Sequence, residues 1–111
     1  MQIDQTRHGA VTVIRPQGPL IDQDARVLMT RLREVLAESL GRFVLDLSAV
    51  PFLDSVGLET LVDAGDELAH SGLAFKLCAV NETISQVFNL TGCFGQFEQY
   101  EDVNSAVRSF L

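Results

Sequence analysis

Two continuous apolar runs in the middle of the chain predict buried strands. They are RFVLDL, from Arg42, and AFKLCAV, from Ala74. Runs of this length and apolarity are typical of strands covered on both faces. Between them, apolar residues recur every three or four positions, which predicts a helix with one buried face. That face comprises Leu58, Leu61, Val62, Gly65, Leu68 and Ala69. Strand, helix and strand in this order favour parallel pairing through a right-handed crossover.

The segment before the first run predicts a hairpin and a long helix. Apolar and polar residues alternate around a turn at His8-Gly9, and Pro16 is expected to end the second strand. The next helix is expected to begin near Asp22 or Asp24 and to end at Gly41. Its predicted apolar face comprises Ala25, Leu28, Met29, Leu32, Val35, Leu36 and Leu40.

The segment after the second run predicts a short helix, a strand and a last helix. Asn81 is expected to cap the short helix and Gly92 to end it. Its apolar residues are Ile84, Val87, Phe88 and Leu90. QFEQY predicts the strand, and helical spacing follows Asp102 to the C-terminus. We therefore expect one α/β domain over residues 1–111, a mixed four- to five-stranded sheet with an N-terminal hairpin and about four helices.

Composition and charge narrow the classes of partner. Hydrophobic residues make up 47% of the 111 residues, as expected of a globular chain with a core. The net charge is -7, and Lys76 is the single lysine. Direct binding of nucleic acid is not expected, because phosphates are bound by clustered basic residues. A basic protein surface is the better candidate partner.

The termini and the cysteines add no chemistry. The N-terminus lacks the pattern of a signal peptide and no apolar run is long enough to span a membrane, so we expect a cytoplasmic protein without a membrane span. Cys78 and Cys93 lack metal-ligand spacing, and we expect both to be buried free thiols. No metal and no cofactor are expected, because the chain lacks a Gly-rich phosphate loop and a dinucleotide fingerprint.

Enzymatic interpretations find little support. Ser55 lacks the setting of a nucleophile elbow, and neither His8 nor His70 has an evident reason to meet it. Asp46, at a strand end, superficially resembles the phosphorylated aspartate of response-regulator receivers. The chain lacks the acidic pair and the suitably placed lysine of such a site, so Asp46 is expected to accept hydrogen bonds from the following loop.

The four residues DSVG, from Asp54 to Gly57, are the most informative feature. Ser55 directly precedes an apolar-periodic helix, and such a serine is typical of a helix cap. The same position suits a phosphate, because free N–H groups and the helix dipole stabilise added negative charge. Gly57 removes side-chain bulk that could obstruct a docking partner. Both interpretations of Ser55, cap and phosphorylation site, stay open from the residues alone.

The order of motifs resembles the STAS domain of anti-sigma-factor antagonists over essentially the whole chain. FVLDLSAVPFLDSVGLETLVDA, RPQGPLIDQDARVL and ISQVFNLTGCFGQF carry the resemblance. It implies a STAS-like fold and a non-enzymatic switch protein that takes part in transcription regulation. An anti-sigma factor with serine kinase activity would phosphorylate Ser55, and a serine phosphatase would reverse the modification. The unphosphorylated form would bind the anti-sigma factor and so release the sigma factor.

The resemblance also implies a partner surface around Ser55. Its residues are Asp22, Asp54, Gly57, Glu59 and Asp63, and the acidic side of the helix continues with Asp66 and Glu67. The chain has Val56 where family members commonly carry a second serine. It has GPLI, ending at Ile21, where they commonly read Gly-Glu-Leu-Asp. This difference implies altered kinase recognition or a substitute role for Asp22.

A second interpretation keeps the fold and changes the function. STAS domains also serve as scaffolds or accessory subunits of lipid-transport ATPases and of signalling assemblies. In that case Ser55 would not be a switch.

Overall fold

The chain forms one mixed sheet of five strands, and their order across the sheet follows their order along the chain. The computed structural model describes residues 1–111. The strands are β1 (Gln2–His8), β2 (Val11–Gln17), β3 (Phe43–Asp46), β4 (Lys76–Cys78) and β5 (Glu98–Tyr100). Strand β1 is antiparallel to β2, and the other three pairs are parallel. The predicted mixed sheet with an N-terminal hairpin is therefore confirmed.

Pro16 does not end the second strand, contrary to the prediction. Strand β2 continues to Gln17, and Pro16 lies opposite Ile3 of β1. The parallel ladder between β2 and β3 stops at Ile14. The missing N–H of Pro16 therefore lies beyond the positions paired with β3, where the strand can accommodate a proline.

Four α-helices and a short 3-10 helix connect or follow the strands. They are α1 (Asp22–Ser39), α2 (Ser55–His70), α3 (Glu82–Thr91), the 3-10 helix (Cys93–Gln96) and α4 (Val103–Arg108). Helices α1, α2 and α3 contribute to one large buried cluster with the strand residues Ile14, Leu45 and Leu77. A smaller cluster joins α4 to the sheet through Val11, Val44, Cys78 and Ala106. The sheet thus has a thick helical layer on one face and only α4 on the other.

Several residues assigned to buried faces are exposed. Leu40 is 79% exposed because it adopts the left-handed conformation that ends α1. Leu90 is 87% exposed because two helical steps turn it about 200° away from the buried Phe88. Ala69 also faces outward. Cys78 is a buried free thiol as predicted, whereas Cys93 is partly exposed.

None of the helices combines the length and the apolar character needed to cross a membrane.

Candidate functional site

Helix α2 begins at Ser55, but the residue that caps it is Asp54. The Asp54 Oδ1 atom accepts a hydrogen bond from the Gly57 N–H at 2.8 Å, and the backbone of Asp54 is extended. Of the two interpretations left open for Ser55, the helix cap is therefore wrong by one position. Ser55 is the first helical residue and is exposed. Because Asp54 caps the helix, the hydroxyl of Ser55 is free of that structural task.

The second oxygen of Asp54 reaches the start of α1. Its Oδ2 atom accepts a hydrogen bond from the Asp22 N–H at 3.2 Å. The residue that caps α1, Ile21, offers no side-chain hydrogen bond. Asp22 has a φ of 43°, in the left-handed region that few residues other than glycine adopt. One carboxylate thus serves the first turns of two helices, and it brings the predicted residues Asp22, Asp54 and Ser55 together.

The segments that precede these two helices lie side by side. Leu20 forms a parallel bridge with Leu53. The Leu20 N–H donates to the Phe52 carbonyl at 3.0 Å, and the Asp54 N–H donates to the Leu20 carbonyl at 3.3 Å. The position of Ser55 is therefore tied to the segment that follows β2, although the two are far apart in sequence.

Gly57 lies where α2 passes closest to this segment. A Cβ atom at Gly57 would lie 2.1 Å from the carbonyl oxygen of Leu20, a backbone atom that cannot easily move. Gly57 is buried, so its missing side chain serves the contact with Leu20. From the sequence, the same missing bulk is expected to leave room for a docking partner.

Asn81, at the start of α3, also holds the loop between β3 and α2. Its Oδ1 atom accepts a hydrogen bond from the Ile84 N–H and so caps α3, as predicted. Its Nδ2 atom also donates to the carbonyls of Val50 and Pro51, at 3.1 and 3.0 Å. Only the capping contact is predictable from the sequence, because the loop contact depends on the tertiary arrangement. The same holds for the contacts of Leu20.

The outer side of α2 is acidic, as predicted. Glu59 and Asp63 follow Ser55 at steps of four residues, and all three are exposed. They therefore form one row along the helix. The carboxylate of Glu67 accepts a hydrogen bond from Arg33 of α1 at 2.9 Å, and this contact raises the pKa of that guanidinium. The acidic row thus continues away from Ser55 until an arginine partly neutralises it.

An exposed aromatic side chain lies close to the site. Phe52 is 46% exposed and precedes Asp54 by two residues. Exposed aromatic residues are enriched at protein interfaces, where they fill pockets of the partner. In the sequence, the only signal for Phe52 is its position next to DSVG, because its exposure depends on the fold.

The residues of the enzymatic interpretations are not brought together. His70 ends α2, the helix that Ser55 begins, so the two are separated by about 22 Å along the axis. Asp46 is 7% exposed and accepts a hydrogen bond from the Ser48 N–H at 2.9 Å. It therefore accepts a hydrogen bond from the following loop, as expected.

A family model described as the STAS domain matches residues 2–106. The chain belongs to the STAS domain family. It is 29% identical over 100 residues to the anti-sigma-F factor antagonist RsfB of Mycobacterium tuberculosis, covering 90% of this chain and 81% of that protein. It is 22% identical over 108 residues to an anti-sigma F factor antagonist of Paenibacillus polymyxa, covering 96% of this chain and 92% of that one.

A solved structure agrees with this STAS fold. The crystal structure of a putative anti-sigma factor antagonist from Thermotoga maritima superposes with a TM-score of 0.86. It shares 23% identity and covers 96% of this chain and 92% of that one. At this identity the likeness concerns the fold, and it agrees with the five strands and four α-helices described above.

Gly57 of this STAS domain lies so close to Leu20 that adding one methyl group there should lower the stability of the fold. We expect Gly57→Ala to lower the free energy of unfolding by about 1–3 kcal/mol or more, because the new Cβ collides with the Leu20 carbonyl. Gly95→Ala is the matched control, since nothing lies within 4 Å of a Cβ there, and its effect should stay within about 0.5 kcal/mol. Urea denaturation measures both. Equal effects would contradict the close contact.

Because Asn81 both caps α3 and donates to the loop, an aspartate at this position should give a less stable protein than asparagine. Asn81→Asp keeps a good cap but replaces the two donors to Val50 and Pro51 with an acceptor. We expect the free energy of unfolding to fall by about 1–3 kcal/mol. The reverse exchange at the cap of α4, Asp102→Asn, is the control and should be nearly neutral. If urea denaturation gave the same stability for Asn81→Asp and wild type, Asn81 would not hold the loop.

Proposed function

We propose that this STAS domain is an anti-sigma-factor antagonist that acts by binding its partner and is switched at Ser55. The observation that carries the proposal is the division of tasks between neighbours: Asp54 caps α2, and Ser55 presents an exposed hydroxyl at the helix start. The names of the relatives RsfB and the Paenibacillus polymyxa protein support the same function. In this proposal the unphosphorylated domain binds an anti-sigma factor and so releases the sigma factor.

The partner is an anti-sigma factor with serine kinase activity, and a serine phosphatase restores the unmodified state. A kinase needs an exposed hydroxyl on a segment that it can approach, and Ser55 meets this requirement. Val56 cannot serve as a second acceptor, because valine lacks a hydroxyl and its side chain packs against the core. Phosphorylation in this chain therefore concerns one residue of the DSVG segment.

The docking surface consists of Asp22, Asp54, Ser55, Glu59 and Asp63, with Phe52 beside it. The hydrogen bond from the Asp22 N–H to the Asp54 carboxylate supports a role for Asp22 in this surface. Acidic side chains suit a basic patch on the partner, and the exposed Phe52 ring suits an apolar pocket. Gly57 contributes indirectly, because its missing Cβ leaves room for the Leu20 carbonyl, which accepts a hydrogen bond from the Asp54 N–H.

Phosphorylation would act on this surface through charge. A phosphoserine carries a charge of about -1.5 to -2 at neutral pH. On Ser55 it would lie between Asp54 and Glu59, where negative charge is already concentrated. The modification adds charge and bulk at the centre of the docking surface. A partner whose surface is complementary to the unmodified serine therefore binds the phosphorylated form more weakly.

The first test asks where the phosphate goes. We expect incubation with the cognate anti-sigma kinase and ATP to add one phosphate at Ser55, located by mass spectrometry, and Ser55→Ala to abolish it. Ser71→Ala is the control, because Ser71 is an exposed serine at the other end of α2. No modification at Ser55 would overturn the switch. Unchanged function of Ser55→Ala in cells would favour the scaffold or transporter-accessory interpretation.

The second test asks what the charge does. We expect Ser55→Asp to bind the anti-sigma partner at least about fivefold more weakly than wild type, because a negative charge enters the docking surface. Ser71→Asp places the same charge at the far end of α2 and should leave the affinity within about twofold. Isothermal titration calorimetry measures both. Equal weakening by the two variants would mean that overall charge, and not position, controls binding.

A further inference from the structure

Strand β1 leaves one edge of the sheet without a partner. It lies at the end of the strand order and pairs with β2 alone. Helix α1 packs over β2 and β3, and α4 packs over β3, β4 and β5, so neither helix covers the outer side of β1. The residues from Gln5 to His8 are exposed. An edge strand of this kind can accept a further strand.

The register with β2 shows which main-chain groups of β1 point outward. The Thr12 N–H donates to the carbonyl of the residue just before β3, at 3.0 Å, so it points away from β1. Arg7 lies opposite Thr12, and the two form a pair without mutual hydrogen bonds. The N–H and C=O groups of Arg7 therefore face away from β2. The same holds at the alternate positions Gln5 and Ile3, which leaves three N–H and three C=O groups free at this edge.

This edge lacks most of the features that protect edge strands. Such features include short length, proline and β-bulges. Strand β1 has seven residues without a proline, and its register with β2 runs without interruption from Gln2 to His8. The opposite edge strand, β5, has three residues and is followed closely by α4. The sheet is therefore open at β1 and protected at β5.

The hairpin also lacks the negative charge of the rest of the chain. Its charged side chains up to Gln17 are Asp4, Arg7 and Arg15, so residues 1–17 carry a net charge of +1. The total of -7 leaves -8 for the other residues. Exposed charges farther apart than about 8 Å are largely screened at physiological ionic strength. Two copies of the chain can therefore meet at β1 without opposing their acidic surfaces.

We propose that two copies of this chain pair through their β1 strands and form one continuous sheet, with five strands from each copy. A two-fold axis would pass through the pair formed by Gln5 and its symmetry mate. Ile3 of each copy then lies opposite Arg7 of the other. In this antiparallel register all of the free N–H and C=O groups form hydrogen bonds, about six in total.

The other symmetric registers fit less well. Centred on Asp4, the pairing places the two Asp4 carboxylates directly opposite each other, where like charges are destabilising. Centred on Thr6, it leaves the free groups of Ile3 opposite the turn at Gly9. Centred on Gln5, it places Asp4 opposite Thr6, and no like charges lie directly opposite each other. The backbone and the side chains thus favour the same register.

The test is a concentration series of the purified full chain, measured by sedimentation velocity and by hydrogen exchange. We expect a monomer–dimer equilibrium, with slower exchange in the dimer at the amides of Ile3, Gln5 and Arg7. Gln5→Pro removes the N–H at the axis and should weaken dimerisation about tenfold or more. Proline is tolerated on an edge strand where the N–H faces solvent, so the variant should keep the circular dichroism spectrum of the wild type.

A second pair of variants tests the register. Thr6→Asp places an aspartate opposite Asp4 of the other copy, twice in each dimer, and should weaken dimerisation about threefold or more. Thr6→Lys should strengthen it by a similar factor. Thr83→Asp and Thr83→Lys are the matched controls, because Thr83 is exposed on α3, and they should leave the dimerisation constant within about twofold.

Several results would overturn the proposal. The first is a chain that stays monomeric up to millimolar concentration. The second is protection of amides in α2, α3 or β5 in place of the alternating amides of β1. The third is an equal effect of the Thr6 and Thr83 variants, which would mean that net charge controls association. None of these measurements uses a kinase or an anti-sigma factor, so their outcome is independent of the proposed function of Ser55.

Discussion

The carboxylate of Asp54 is the contact on which the candidate site depends. It accepts one hydrogen bond from Gly57, in the first turn of α2, and one from Asp22, at the start of α1. Helix starts leave N–H groups without partners, and here a single side chain supplies acceptors to two of them. The directions of both helices and the position of Ser55 are thereby coupled to one residue.

This coupling explains why an exposed serine can be held in a defined place. The loop that leads to Ser55 contacts Leu20 on one side and Asn81 on the other. Gly57 allows the approach of Leu20 because it has no Cβ atom. A recognition site held by several elements loses little conformational freedom when a partner binds. In the proposed function, phosphorylation would therefore change the charge of a surface whose shape is already set.

Most of the architecture could be predicted from the sequence because its signals are local. Apolar runs identified β3 and β4, and helical periodicity identified α2, with boundaries close to those observed. Single positions were less predictable. Leu40 and Leu90 are apolar residues in the right segments, but their exposure depends on where each helix ends and on which way it is turned. Whether β2 can continue through Pro16 depends on how far the ladder between β2 and β3 extends.

The sequence by itself determined the alternation of strands and helices, the acidic side of α2 and the position of Ser55 at the start of a helix. All three follow from the spacing of neighbouring residues. Only the tertiary structure decided that Asp54, and not Ser55, caps the helix, that Gly57 faces Leu20, and that Asn81 holds the loop. The contacts of Gly57 and Asn81 join segments separated by about thirty residues or more, and no local pattern encodes such distances. The cap is a local contact, but aspartate and serine are both good caps, so their adjacent positions do not decide between them.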